Sequence, residues 1–259
     1  MNRSLQTIIY KLSMVLFLSP LLFSCEETLI PQDQPQAPGS VFISAYVQTD
    51  SIRIMANGDN LIIDDQEIFS NRITKDYKYV YYNHQSETIE IINNETQDIM
   101  RKYEFTEENS ADTLSFFYKP GIWIEDVLSS KPGTLNQSGY TGYRFIFPNM
   151  NRYSNSGYEG PLDGIISKIT GQQLGIVENI DKETFSTFLE FPYTMPPIIK
   201  MRLVKHGTTE SYISGQTIEV QMVMQNNKSC LIVLEETVDS NGNFSGVNGT
   251  IDLTNYFDY

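Results

Sequence analysis

Alternation of apolar and polar residues is the feature that most constrains the fold of this chain. The pattern is cleanest over residues 218–225, where every second residue is apolar. A period of two is typical of a half-buried β-strand, because successive side chains of a strand point to opposite faces of a sheet. The same period begins at Val41 and again at Ser51, and the pair Asn57-Gly58 that follows is a strong hairpin signal. Long helical patterns are absent, so the sequence predicts an all-β fold.

Strand signals recur at close spacing along the rest of the chain, with turn residues between them. The segments concerned are 61–63, 77–82, 88–92, 114–118, 143–147, 230–234 and 250–253. Two other segments, 164–169 and 181–188, have apolar residues at helical spacing, and they are the candidates for short helices.

Residues 148–161 are the best candidate for a domain boundary or a long exposed loop. They are rich in Asn, Ser, Gly and Pro and offer little apolar surface that could be buried. We therefore expect two small β-sandwich domains, Ig-like or transthyretin-like, at residues 41–150 and 158–259. One elongated sandwich is the alternative.

The amino-terminal segment has the composition of an export signal. Arg3 and Lys11 precede an apolar run over residues 12–23, which is shorter than the roughly 20 residues that a membrane-spanning helix needs. A short apolar run behind positive charges is typical of a secretory signal that is later removed. Residues 1–24 are therefore predicted to be a signal peptide that is removed before Cys25. The alternative is an ordinary secretory signal that is cut nearby.

The end of this run, Leu22-Phe23-Ser24-Cys25, resembles the lipobox of bacterial lipoproteins, although Phe23 departs from the usual small or branched residue. The resemblance implies that Cys25 becomes the first residue of the mature protein and carries acyl chains such as palmitate. Two or more such chains anchor a protein stably to a membrane. The pair Glu26-Glu27 is similar to the acidic export signal of Bacteroidetes lipoproteins, which implies the outer membrane and exposure to the cell exterior.

Residues 25–40 are predicted to be the lipidated cysteine and a flexible tether. The segment holds three prolines and has no apolar periodicity, so we expect a solvated and partly stiff spacer between the lipid and a folded body.

Charge and cysteine content exclude several classes of function. Removal of residues 1–24 lowers the number of basic residues from 18 to 16 against 32 acidic ones, so the mature net charge is −16. Such a surface repels phosphate backbones, and no nucleic-acid partner is expected. With Cys25 lipidated, Cys230 is the single remaining thiol, so no intramolecular disulfide can form and stability depends on core burial.

Motifs that carry catalysis or bind metal are missing from the sequence. His84 and His206 are the only histidines, and both lie among turn residues. The segment 239–243 departs from an EF-hand loop, because its glycine comes two positions early, and it is predicted to be a hairpin turn. We expect no cofactor, no metal and no enzymatic activity.

Aromatic residues are the candidate ligand-binding groups. Tyr77, Tyr79 and Tyr81 fall on one face of a predicted strand, and Trp123 is the only tryptophan. Flat, amphipathic rings could bind a sugar or a peptide, and packing in the core or at its rim is the alternative.

The sequence thus predicts a surface lipoprotein that binds a glycan or a protein partner without catalysis. One alternative is a fimbrial subunit, which would require cleavage after Arg53, the first basic residue beyond Cys25. The other is an accessory glycan hydrolase or esterase.

Overall fold

The computed structural model describes residues 35–109 and 111–259, and these residues build an all-β protein. Their strands form three sheets, and no α-helix occurs in these two ranges. The all-β part of the predicted fold class is therefore confirmed. No helix in the same ranges is long and apolar enough to cross a membrane. The signal peptide, Cys25 and the tether as far as residue 34 lie outside the described residues.

The first half of the body, residues 35–125, is one sheet. Its strands are β1 (Gln36–Ala56), β2 (Asp59–Asn60), β3 (Phe69–Tyr82), β4 (Glu87–Asn93), β5 (Ile99–Phe105), β6 (Ala111–Lys119) and β7 (Ile122–Glu125). The order is β5-β4-β1-β6-β7, and β2 and β3 also pair with β1. The predicted hairpin at Asn57-Gly58 is confirmed, since both residues have positive φ and join β1 to β2.

The central strand β1 bends this sheet. It is 21 residues long, and its pairing shifts register between Val47 and Ile52, where Thr49 has a φ of 71°. The segment before the bend pairs with β3 and β6, and the segment after it pairs with β4. The sheet therefore curls over its own core, and we call it the curled sheet. The sandwich predicted for this region is wrong, because its strands form one sheet that bends at β1 and not two facing sheets.

Residues 36–40 belong to β1 and not to the tether. They pair with residues 78–82 of β3, and Pro38 lies opposite Val80. The three prolines of residues 25–40 favoured a spacer, but the partner strand lies about 40 residues further along the chain and cannot be inferred from local composition.

The second half of the body, residues 140–259, is a β-sandwich. Its strands are β8 (Tyr140–Ile146), β9 (Leu162–Lys168), β10 (Gln173–Ile180), β11 (Leu189–Pro192), β12 (Ile198–Lys205), β13 (Ile218–Val223), β14 (Lys228–Val238) and β15 (Phe244–Asp252). One sheet has the order β11-β8-β14-β15 and the other β10-β9-β12-β13. Buried side chains such as Phe145, Leu203 and Leu234 fill the space between them.

Both candidate helices are wrong. The segment 164–169 is mostly β9, which pairs with β10 and β12, and Gly164 lies so close to Met201 that a Cβ would be 2.5 Å from the sulfur. In the segment 181–188, the Asp181 carboxylate accepts hydrogen bonds from the backbone N–H groups of Glu183 and Thr184 at 2.8 and 2.6 Å. These bonds form an isolated turn and are not continued by a helix.

Along the chain, the segment 148–161 falls within the sandwich half, so it is not the boundary between the two halves. It connects β8 to β9, and β8 pairs in parallel with β14. The change from the curled sheet to the sandwich occurs between Glu125 and Tyr140.

A third apolar cluster joins the two halves. Phe117 and Ile124 of the curled sheet pack in it against Leu231, Val233 and Ile251 of the sandwich. Residues 114–118 of β6 and 230–234 of β14 are all buried, because each strand has one face in its own core and the other in this shared cluster. We call the cluster the interface core.

Truncation of an interface-core side chain should destabilise the whole body. We expect Phe117→Ala to lower the free energy of unfolding by about 3–5 kcal/mol, because Phe117 is fully buried and its removal leaves a cavity. Phe42→Ala is the matched control, since Phe42 is 38% exposed on β1 and should cost much less. Urea unfolding measures both values, and equal losses would contradict the burial argument.

Candidate binding site

The predicted tyrosine stripe lies on the inner face of β3. Tyr81 is buried, whereas Tyr77 and Tyr79 are half-buried. The rings of Tyr77 and Tyr79 stack with centroids 5.4 Å apart, and Tyr81 meets Tyr79 edge-on at 5.0 Å. Gly39 lies opposite Tyr79 in the register, where a Cβ would be 2.4 Å from the tyrosine ring. A glycine at this position therefore lets the stripe pack onto β1.

The hydroxyl groups of the stripe bond within the protein. Tyr77 donates to Glu87 Oε1 at 2.8 Å, the Tyr79 and Tyr81 hydroxyls are 2.8 Å apart, and Tyr81 donates to the Thr106 carbonyl at 3.0 Å. Burial raises the pKa of Tyr77 and of Tyr79 above the usual range. Ligand binding by these residues stays a prediction, and the contacts show packing at the rim of the curled sheet.

Trp123 helps to close the curled sheet. Its ring stacks on Phe116 at 4.6 Å, and the Arg101 guanidinium lies over it at 4.9 Å. The Glu125 Oε1 atom accepts hydrogen bonds from Trp123 Nε1 at 3.0 Å, from Arg101 Nε at 3.0 Å and from the Tyr103 hydroxyl at 3.1 Å. These contacts join β5 and β7, which are the two ends of the strand order. A ligand-binding role for Trp123 also stays a prediction, and its ring packs on Phe116 and Tyr118 of β6.

Each histidine pairs with a carboxylate. The Nδ1 atom of His84 is 2.7 Å from Glu107, and that of His206 is 2.8 Å from Asp163. The hydrogen bond and the charge of Asp163 raise the pKa of His206. Within the two described ranges, no serine hydroxyl bonds to either ring, and no group of three or more His, Cys, Asp or Glu residues is arranged to hold a metal.

The segment 239–243 forms the hairpin turn between β14 and β15. The Asp239 carboxylate accepts hydrogen bonds from the backbone N–H groups of Asn241 and Asn243 at 2.8 and 3.0 Å, and these bonds lower its pKa. The prediction of a hairpin turn at this position is confirmed.

A buried carboxylate that sequence reasoning missed organises the segment 148–161. Glu236 is 1% exposed, and its oxygens accept hydrogen bonds from the backbone N–H groups of Asn151, Tyr153 and Ser154 and from the Tyr212 hydroxyl at 3.0 Å. The sequence does contain a signal for this buried carboxylate. Residues 230, 232 and 234 point into the core, and Glu236 continues their alternation. An inward carboxylate requires donors, and the polar segment supplies them.

The open side of the sandwich carries two cavities. The strands β13 and β15 are edge strands of facing sheets and lie side by side, and Gly249 is so close to Val220 that a Cβ would be 3.0 Å from Val220 Cγ1. We call this line of contact the seam. A cavity of about 500 Å³ lies on one side of this contact, between residues 216–219 and 244–247. A second cavity of about 330 Å³ lies on the other side, and Tyr143 and Cys230 contribute to its wall.

The thiol beside this second cavity is buried. Cys230 is 1% exposed, and its burial, reinforced by the charge of Asp252, raises the pKa of the thiol to about 12. A thiol with so high a pKa carries little thiolate at neutral pH, which disfavours a nucleophilic role for Cys230.

Loss of the Glu236 charge should open the segment 148–161. We expect Glu236→Gln to lower the free energy of unfolding by about 2–4 kcal/mol, because an amide nitrogen would face backbone donors that then lack an acceptor. Glu183→Gln is the control, since Glu183 is exposed. Urea unfolding gives the free energies and limited proteolysis reports on the segment. A variant as stable and as resistant as the native protein would refute the assigned role.

The His206–Asp163 pair should stabilise the protein at low pH. Because the folded state raises the pKa of His206, the pair contributes fully below the unfolded pKa of about 6.5 and loses its contribution as pH rises through the folded value. His206→Gln should therefore reduce stability more at about pH 5.5 than at about pH 9. Thermal unfolding of both proteins at the two pH values measures this difference, and an effect that grows with pH would contradict the pairing.

Comparisons with known proteins give no family. No family model matches the chain, and no curated protein matches it significantly. Among solved structures, the chain is similar to the Bacillus anthracis TIE protein, with 8% identity and a TM-score of 0.25, over 81% of this chain and 34% of that one. It is also similar to a proposed adhesin from Bacteroides ovatus, with 10% identity and a TM-score of 0.22, over 86% of this chain and 95% of that one. The chain thus spans about a third of the TIE protein, and the only likeness to the Bacteroides adhesin is a distant structural one.

Proposed function

We propose that this protein is a lipid-anchored binding protein of the bacterial outer membrane, exposed to the cell exterior, which binds a glycan or protein ligand without catalysis. The observation that carries the proposal is the order of segments along the chain. A short apolar signal is followed by Leu22-Phe23-Ser24-Cys25, then by a proline-rich tether, and then by a folded body whose described residues form β-sheets and no α-helix.

The short tether supports a role close to the membrane. The first strand begins at Gln36, eleven residues after Cys25, and eleven extended residues span roughly 40 Å. The tether enters the curled sheet, and the interface core holds the sandwich against that sheet. The seam therefore belongs to the half of the body that the tether does not enter, where an external ligand can reach it.

The fimbrial alternative is disfavoured by the position of Arg53. This residue lies in β1, which pairs on both sides and is the central strand of the curled sheet. Cleavage after Arg53 would separate most of β1 from the chain and remove the strand on which the sheet is built.

The anchor is tested by lipid analysis and surface proteolysis of the protein in its native host. We expect mass spectrometry of the amino-terminal peptide to find acyl chains on Cys25, and protease added to intact cells to remove the body. Cys25→Ser is the matched variant, and it should release the protein from the membrane fraction.

Two results would contradict the proposal. One is an unmodified Cys25 in a protein that remains in the membrane fraction. The other is a lipidated protein that protease reaches only after the outer membrane is opened, which would place the body on the periplasmic side.

A further inference from the structure

One side of β3 is the longest strand edge that lacks a partner within the two described ranges. Its other side pairs with β1 over twelve consecutive residues, from Tyr82 opposite Gln36 to Asn71 opposite Val47. No described strand pairs with the first side, so the backbone N–H and C=O groups that point there are available to a further strand. We call residues 72–82 the β3 edge.

The other long edge strands of the described body have neighbours. β5 and β7 are joined through Glu125, which accepts hydrogen bonds from Arg101 and Trp123. β13 and β15 meet at the seam. At the other ends of the same two sheets, β10 and β11 are so close that a Cβ on Gly175 would be 2.8 Å from Leu189 Cδ2. The β3 edge is therefore the one long edge of the described residues that is left open.

The β3 edge lacks two features by which edge strands avoid pairing. It contains no proline, and its register with β1 is unbroken, so no bulge turns it away from a second strand. Its charged residues are Arg72, Lys75, Asp76 and Lys78. Facing charges destabilise a strand pair when they are alike and stabilise it when they are opposite, so the register decides their effect.

One antiparallel register makes the β3 edge complementary to itself. If two copies pair with Tyr77 opposite Tyr77, Asp76 of each copy lies opposite Lys78 of the other. The side chains of Asp76 and Lys78 are 56% and 77% exposed, and within one chain they are 3.6 Å apart. Two opposite-charge pairs therefore form across a twofold axis through Tyr77.

The remaining pairs of this register bring no like charges together. Lys75 lies opposite Tyr79, and Arg72 lies opposite Tyr82, so each of these cations faces an aromatic residue. The other facing pairs are uncharged, and they are Ile73 with Tyr81 and Thr74 with Val80.

Neighbouring registers are less favourable. Facing side chains of an antiparallel pair point to the same side of the sheet, so the twofold axis must pass through a residue. An axis at Asp76 places two carboxylates opposite each other, and an axis at Lys75 or Lys78 places two ammonium groups opposite each other. An axis at Tyr79 forms no ion pair.

An axis at Thr74 is the one other register nearby that forms ion pairs. It places Asp76 opposite Arg72, but it extends the pairing over Asn71, whose φ of 61° interrupts the extended strand. Arg72 is also bound within the chain by the Asp258 carboxylate. The regular part of the edge therefore favours the axis at Tyr77.

We infer that two copies of this protein associate through the β3 edge, which joins their curled sheets into one antiparallel sheet across a twofold axis at Tyr77. Such a contact uses the edge of both copies, so assembly ends at a dimer. The inference goes beyond the proposed function, because neither a lipid anchor nor ligand binding requires a dimer.

Disulfide cross-linking in cells of the native host tests the register. Thr74 and Val80 are exposed and face each other in the dimer, whereas the native Cys230 is buried. Cells that produce differently tagged Thr74→Cys and Val80→Cys proteins should yield, on mild oxidation, a covalent dimer with both tags. Either variant alone should remain uncross-linked, because its two cysteines are six residues apart along the strands, about 20 Å.

Charge reversal tests the ion pairs by analytical ultracentrifugation of the full chain in detergent. Asp76→Lys and Lys78→Asp each turn both ion pairs into like-charge pairs, and each should weaken self-association about tenfold or more. An equimolar mixture of the two variants should associate as the native protein does, because opposite charges face each other again. The control Glu104→Lys changes the net charge as Asp76→Lys does, at an exposed position of β5, and should leave association unchanged.

Several results would overturn the inference. They are a monomeric native protein, the absence of a cross-link between Thr74→Cys and Val80→Cys, and a cross-link of Thr74→Cys with itself. Charge reversals that leave association unchanged, or a mixture that associates no better than its components, would also overturn it. All substituted residues are exposed, so unchanged melting temperatures are expected and confirm that each variant is folded. A lipidated monomer would refute the dimer alone and leave the anchor standing.

Discussion

Burial of β6 and β14 on both faces is the constraint on which the rest of the structure depends. Each strand contributes one face to the core of its own half and the other face to the interface core. A strand that is buried on both faces cannot leave its neighbour without exposing large apolar side chains to water, of which Phe117 and Leu231 are examples. The curled sheet and the sandwich are therefore held as one body by the same effect that folds each of them.

The interface core joins the two halves through apolar side chains, and polar residues of the sandwich have other structural roles. Glu236 holds the segment 148–161 in place, and the two cavities lie on either side of the seam between β13 and β15. These edge strands belong to different sheets, and they approach each other closely at Gly249.

Local patterns predicted the strands well and their partners poorly. Alternation over residues 218–225 marked β13, and Asn57-Gly58 marked a hairpin, because both signals depend on neighbours in sequence. The segments 114–118 and 230–234 were predicted as strands, but local sequence could not identify the interface core, in which Phe117 and Leu231 lie more than a hundred residues apart in the chain. The bend of β1 likewise depends on distant contacts. The aromatic residues that attracted attention in the sequence mostly pack within the curled sheet.

Urea unfolding followed by two single-residue probes tests most directly whether the two halves form one body. Trp123, the only tryptophan, reports by fluorescence on the curled sheet, and protection of Cys230 from a pulse of alkylating reagent reports on the sandwich. The account predicts one cooperative transition with the same midpoint for both probes. Two separate transitions, with one half folded while the other is unfolded, would contradict it.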